Sequence, residues 1–206
     1  MLLHTRRLEV QGPAGAIECV LSEPGDGTPV RGVAVLCHPH PLHGGTMDNK
    51  VVQTLARAFV QLGYRAVRFN FRGVGVSAGQ WDDGRGETED ALAVIAATRE
   101  PGCPLALGGF SFGGYVAASA AQRLAGSEPV ERLVLVGPAT SRYALPPVPA
   151  DTIVVHGEAD DVVPLQSTLD WARPQALPVI VLPGVGHFFH GQLTQLKTQV
   201  VQAWHR

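Results

Sequence analysis

Gly109-Phe110-Ser111-Phe112-Gly113 is the stretch of this 206-residue sequence that most directly suggests chemistry. Serine between glycines at G-x-S-x-G spacing suits a sharp strand-to-helix turn, in which a Cβ at either glycine would clash and the serine Oγ is thrust outward. With 24 glycines and 7 serines in the chain, chance alone produces the pattern in about one such sequence in ten, so its surroundings decide its weight. Apolar Leu105-Ala106-Leu107-Gly108 leads into it, and the small-residue run 114–121 leads out. A serine hydroxyl is a poor nucleophile at neutral pH and needs a general base that is itself oriented by a carboxylate. Two later stretches supply these groups in the order acid, then base: His156-Gly157-Glu158-Ala159-Asp160-Asp161-Val162-Val163-Pro164, rich in carboxylates, and Pro183-Gly184-Val185-Gly186-His187-Phe188-Phe189, a glycine-bracketed histidine. The residues alone leave the choice of carboxylate open.

Such groups must be held by regular elements, and the sequence alternates them. Seven β-rich runs stand at about 14–21, 32–37, 64–69, 105–109, 132–136, 152–156 and 178–182. Most are continuously apolar, as strands covered on both faces of a parallel sheet must be. Helical patterns lie between them. Val52, Leu55, Ala56, Phe59 and Leu62 recur at 3/4 spacing, with Asp48 as the expected cap and Gly63 as the stop. A second helix is expected over 87–100, with Glu87, Glu89 and Asp90 in its first turn, where the helix dipole favours anions. Others are expected over 112–125, 164–173 and 189–204. The predicted fold class is therefore α/β, a mostly parallel sheet with helices on both faces, in which the loops at the carboxyl ends of the strands carry function. The first two β runs precede any helix and are expected to pair as an antiparallel hairpin at one edge.

Across essentially its whole length the sequence resembles the α/β-hydrolase superfamily. Asn70-Phe71-Arg72-Gly73-Val74-Gly75-Val76-Ser77 is similar to that superfamily's D-x-R-G-x-G-x-S turn, with Asn in place of Asp. More narrowly, residues 37–50, Cys-His-Pro-His-Pro-Leu-His-Gly-Gly-Thr-Met-Asp-Asn-Lys, resemble a family of small bacterial serine hydrolases related to the dienelactone-hydrolase branch. The resemblance implies a sheet of about eight strands, one domain over residues 1–206, and a Ser111, Asp160, His187 triad. The H-G-x-x-D-x-V-V-P pattern selects Asp160 over Asp161, which is left as a helix-capping residue. It implies two oxyanion-holding backbone N–H groups, those of Phe112 and His40. Pro39 and Pro41 have no N–H to offer, and the imidazole of His40 is then incidental. Dienelactone-type chemistry would place cysteine where Ser111 stands. Larger superfamily members carry a lid between the strands read at 132–136 and 152–156. Only about fifteen residues, Gly137 to Asp151, lie there, so no cap domain is expected.

The expected activity is hydrolysis of a carboxylic ester or thioester through an acyl-enzyme, without a cofactor, on a small acyl substrate. The alternatives are amide or peptide hydrolysis, and a binding protein that keeps the fold without turnover. His38, His40 and His43 lie within six residues, but the intervening prolines and the lack of further clustered ligands argue against a metal. His38 is expected to hydrogen-bond beneath its loop, Arg72 to act as an anchor, and His190 to lie on the surface of the last helix. Phe110, Phe112, Phe188, Phe189, Tyr143 and Trp81 are candidates either for an apolar pocket or for core packing.

Composition excludes other classes. Hydrophobic residues make up 45% and charged residues 17%, and the net charge is −2, which gives no electrostatic basis for binding nucleic acid or an anionic membrane. No charge occurs between Glu100 and Arg123, yet prolines and paired glycines break that stretch, so no membrane span is expected. Three scattered cysteines and the lack of a secretory signal at the N-terminus lead to the expectation of free thiols in a cytoplasmic protein. A homodimer would be an ordinary assembly for such a chain.

Overall fold

The continuous apolar runs of the sequence form the middle of one eight-stranded sheet. The computed structural model describes residues 4–25 and 27–205. Its strands are β1 (His4–Gly12), β2 (Gly15–Glu23), β3 (Gly32–Cys37), β4 (Tyr64–Phe69), β5 (Leu105–Phe110), β6 (Arg132–Val136), β7 (Ile153–Gly157) and β8 (Val179–Leu182). They lie in the order β1-β2-β4-β3-β5-β6-β7-β8. The β1–β2 and β2–β4 pairs are antiparallel, and every other pair is parallel.

Both faces of the sheet are covered, which is why β3 and β5 are apolar throughout rather than alternating, while β4 keeps Arg65 and Arg68 among its apolar residues. Along β3 the side chains divide: Val33, Val35 and Cys37 enter one core, and Ala34 and Leu36 the other. Helices α1 (Lys50–Gln61) and α5 (Leu193–Trp204) close one face through Val52, Leu55, Phe59, Leu196 and Val200. Helices α2 (Arg85–Thr98), α3 (Phe112–Leu124) and α4 (Leu165–Ala172) cover the other through residues such as Val94, Val116 and Ala172. None of the helices among the described residues is long and apolar enough to cross a membrane. Cys19, Cys37 and Cys103 are free, and burial pushes the Cys19 thiol up to about 12.

The structure corrects several expectations. The edge hairpin is formed by β1 and β2, whereas the 32–37 run, expected to be a hairpin partner, is the central strand β3 between β4 and β5. Strand β1 was not anticipated because its side chains are mostly exposed and polar or charged, so the run His4-Thr5-Arg6-Arg7-Leu8-Glu9 has no buried-strand signature. Asn49, not Asp48, caps α1: its Oδ1 accepts the Val51 and Val52 amides at 2.9 and 3.4 Å. Asp48 instead pairs with Arg68 at 2.9 Å. In α2, Glu87 does serve the first turn, taking the Gly84 N–H at 2.8 Å and the Asp82 N–H at 3.0 Å. Asp90 does not, because it is wholly buried against Arg72, and half-buried Glu89 pairs with Arg123. The last helix begins at Leu193 rather than 189, which leaves exposed His190 on the turn before it.

Candidate active site

Three loops at the carboxyl ends of β5, β7 and β8 converge on Ser111. At the β5–α3 junction Ser111 has φ 55° and ψ −119°, a conformation that non-glycine residues rarely adopt. Neighbouring backbone holds it there, with the Ser111 N–H donating to Val136 O at 3.0 Å and the Ala139 N–H donating to Ser111 O at 3.2 Å. A side chain on Gly109 would lie 2.0 Å from Gly113 O, so the turn requires glycine at that position. Ser111 is itself buried.

The β7 and β8 loops touch through bare backbone. A Cβ on Gly157 would fall 2.2 Å from Val185 O, and the Ala159 N–H donates to Val185 O at 3.0 Å. This contact brings Asp160 and His187 together across 27 residues of chain: Nδ1 of His187 lies 2.6 Å from Asp160 Oδ2. The carboxylate can only accept, so Nδ1 carries the proton and Nε2 is left to accept from the Ser111 hydroxyl at 3.1 Å. All three residues singled out in the sequence are thus joined in one hydrogen-bonded line.

Asp160 is held by more than histidine. Its Oδ1 accepts the Val162 and Val163 amides at 3.0 and 2.8 Å. Burial alone would raise its pKa, but the His187 hydrogen bond, the Val163 amide and the neighbouring imidazoles outweigh it and hold the carboxyl below the usual carboxylate range. Asp161, the competing carboxylate, is exposed and makes no hydrogen bond among the described residues. Its expected capping role is not observed, because α4 begins behind Pro164 and the amides of that turn are taken by Asp160.

His156 was missed as part of this site. It is fully buried, donates from Nε2 to Val163 O at 2.8 Å, and places the same nitrogen 3.4 Å from Asp160 Oδ2. Burial lowers its pKa, so the ring stays neutral. Its position at the head of the H-G-x-x-D pattern was the available signal.

On the other side of Ser111 lies the loop after β3. A Cβ on Gly113 would meet Cys37 O at 2.2 Å and His38 O at 2.5 Å, so the start of α3 rests directly on this loop. Phe112 is the first residue of α3, where helix geometry leaves the N–H without an intrahelical partner. The His40 N–H, like that of Phe112, meets no protein acceptor among the described residues. Beneath the loop, His38 Nε2 accepts the Phe71 N–H at 3.1 Å while Nδ1 donates to Pro39 O at 2.6 Å. Burial pulls the His38 pKa down to about 4. Both ring nitrogens are therefore occupied by backbone, and no cluster of three His, Cys, Asp or Glu capable of holding a metal occurs among the described residues.

Arg72 anchors the adjoining loop. Its guanidinium meets both Asp90 oxygens at 3.0 and 2.8 Å, and its own N–H donates to Asp90 Oδ2 at 3.0 Å. Among the aromatic candidates, Phe110, Phe112 and Phe189 are core residues, Phe188 is exposed, and half-buried Trp81 and Tyr143 pack near the His40 ring.

A family model for serine aminopeptidases, S33, matches residues 29–150. The chain belongs to this family of α/β hydrolases. Its fold and length are shared by the α/β serine hydrolase XC6422 of Xanthomonas campestris, which has no lid. That structure aligns with a TM-score of 0.89 and 37% identity over 100% of this chain and 96% of that one. An α/β serine hydrolase homologue from Coxiella burnetii aligns with a TM-score of 0.86 and 37% identity, covering 98% of each chain. An uncharacterized protein, RP471, of Rickettsia prowazekii (strain Madrid E) is 30% identical over 194 residues, 86% of this chain and 79% of that protein. In this α/β hydrolase, as in XC6422, no lid covers the serine: residues 137–152 connect β6 to β7 without forming a helix or strand.

Proposed function

We propose that the chain is a serine hydrolase acting on carboxylic esters or thioesters of small molecules. The observation that carries this reading is the unbroken line from Asp160 through His187 to Ser111, with hydrogen bonds of 2.6 and 3.1 Å. Ser111 Oγ attacks the acyl carbonyl carbon as His187 Nε2 takes its proton, and Asp160 stabilises the resulting imidazolium. The carbonyl oxygen becomes an oxyanion, which the Phe112 and His40 amides receive. The protonated imidazole then gives its proton to the leaving oxygen or sulfur, and the acyl group stays on Ser111. Water, deprotonated by the same imidazole, releases the acid and restores the serine.

The serine aminopeptidase family favours a second reading, hydrolysis of aminoacyl amides. Esters and thioesters suit the uncovered site better, since their leaving groups depart without amide resonance to overcome.

A fluorophosphonate probe tests the nucleophile: stoichiometric labelling is expected at Ser111 in the wild type and none in Ser111→Ala. Equal labelling of the two proteins would remove the assignment. Nitrophenyl esters of increasing acyl length, acyl thioesters and aminoacyl nitroanilides, compared by kcat/KM, then choose the substrate class. A higher value for the nitroanilides than for any ester or thioester would replace the ester reading with the amide one.

A further inference from the structure

The His40 imidazole, incidental to the expected oxyanion hole, is built into the turn that carries the proposed oxyanion amide. We propose that the neutral His40 imidazole is a positioning residue, which aims its own backbone N–H at the oxyanion and loses that hold when it is protonated. This inference rests on the serine-hydrolase reading above.

The ring's Nδ1 accepts the Leu42 N–H at 3.2 Å and so caps the short 3-10 turn Pro41–His43. The same turn is closed by the His43 and Gly45 amides, which donate to His40 O at 3.1 and 3.0 Å. It is tight enough that a Cβ on Gly45 would lie 2.0 Å from Pro39 O. Prolines on both sides of His40 fix their own φ and bring no donors, so among the described residues the imidazole supplies the side-chain hydrogen bond to the turn's amides. An acceptor at Nδ1 requires the ring proton on Nε2. A second proton would go to Nδ1, turning the acceptor into a donor that faces the Leu42 N–H, and the cap is then lost.

Neighbouring groups keep the ring neutral. His43 stacks on it with 4.4 Å between ring centroids, Trp81 lies at 4.6 Å, Phe112 at 5.2 Å and Tyr143 at 6.5 Å. Burial comes first among the forces holding its pKa below the ordinary imidazole value; His43 and Arg142 add to it and Asp83 opposes it. The turn therefore keeps its cap at neutral pH and loses it in acid, independently of His187.

Two substitutions separate this role from simple packing. His40→Asn retains a short acceptor suited to the same i to i+2 hydrogen bond and does not titrate. His40→Phe fills the ring's place against His43 and Trp81 without an acceptor. Steady-state kinetics on a nitrophenyl ester between pH 4.5 and 8.5 are expected to show His40→Phe losing about tenfold or more in kcat at pH 8, part of the loss seen when an oxyanion donor is removed outright. KM should change little. His40→Asn should hold kcat within about threefold, and its acid limb should fall about tenfold less than that of the wild type. Full kcat in folded His40→Phe, or an acid limb in His40→Asn that superimposes on the wild type, overturns the proposal. Absence of fluorophosphonate labelling at Ser111 in the wild type would instead overturn the hydrolase reading beneath it.

Discussion

The two sides of Ser111 are held by different physics. On the β7–β8 side, ionisable side chains contact one another directly, and the Asp160 carboxylate is shared among His187, two amides and the edge of His156. On the β3–β4 side the ring nitrogens and the guanidinium nearest the loop are engaged in holding backbone rather than in a relay between side chains. His38 is neutral between two backbone groups, His40 caps its own turn, and the Arg72 charge is matched by buried Asp90. One side moves a proton during the proposed reaction, and the other must present dipoles that do not change. Fixed dipoles cost no reorganisation when charge develops, which is why the second side presents backbone amides held by hydrogen-bonded side chains.

The largest test of this contrast lies on the proton-moving side. Asp160→Asn should keep the fold and lower kcat by about 10⁴, because the amide no longer fixes the Nδ1–H tautomer of His187. Asp161→Asn should change kcat less than about threefold, as expected for an exposed group outside the line. Parallel steady-state assays of the two variants decide it, and comparable losses would dissolve the distinction between the carboxylates.

On the static side the expected losses are in stability. Asp90→Leu leaves the half-buried Arg72 guanidinium and its N–H without their partner and should cost about 3 kcal/mol in urea unfolding. The paired Arg72→Met, Asp90→Leu variant should recover much of that loss, since removing both charges leaves no charge uncompensated. Failure of the double variant to recover would mean that Arg72 holds its loop by shape rather than by charge.

His38 gives the smallest of these effects and a clear sign. Its folded pKa lies near 4, below the ordinary imidazole value of about 6.5, so the unfolded chain binds more protons between those two values. Stability conferred by the neutral ring is complete above about pH 6.5 and is lost as pH falls toward 4, by about 3 kcal/mol in total. His38→Phe should flatten that slope while lowering stability throughout, because the Phe71 amide loses its acceptor. Urea titrations at a series of pH values would expose an unchanged slope, which would assign the pH response to other groups. Asp160 acts lower on the scale. Its depressed carboxyl contributes stability that is full above about pH 4 and lost as pH falls through the folded value.

The fold was legible wherever a strand is buried on both faces, since β3, β5, β6 and β7 stand out as mostly apolar runs between turn residues and β4 as a β-rich run interrupted by Arg65 and Arg68. Strand β1 was not, because its solvent-facing residues are polar and its pairing is made by backbone. In the site, Ser111 and His187 were readable because each sits in a turn with its own glycine and strand context, whereas Asp160 and Asp161 share one turn and the residues alone did not separate them. His156 and the His40 ring were not readable, since their roles depend on what lies opposite them. Asp90 shows the limit from the other direction: its place in α2 suggested a dipole interaction, and its partner comes from a loop 18 residues earlier.

What the sequence by itself determined is therefore local. The strand-to-helix turn at Ser111, the histidine turn before the last helix and the shortness of the β6–β7 connection all follow from steric rules acting over a few residues. Tertiary structure decided the order of the strands, the choice of Asp160 over Asp161, the pairing of Arg72 with Asp90 and the capping role of the His40 ring. The physical reason is distance. His187 lies 76 residues from Ser111 along the chain, and the 3.1 Å between their side-chain atoms is set only when close backbone contacts at Gly113 and Gly157 lock the loops together.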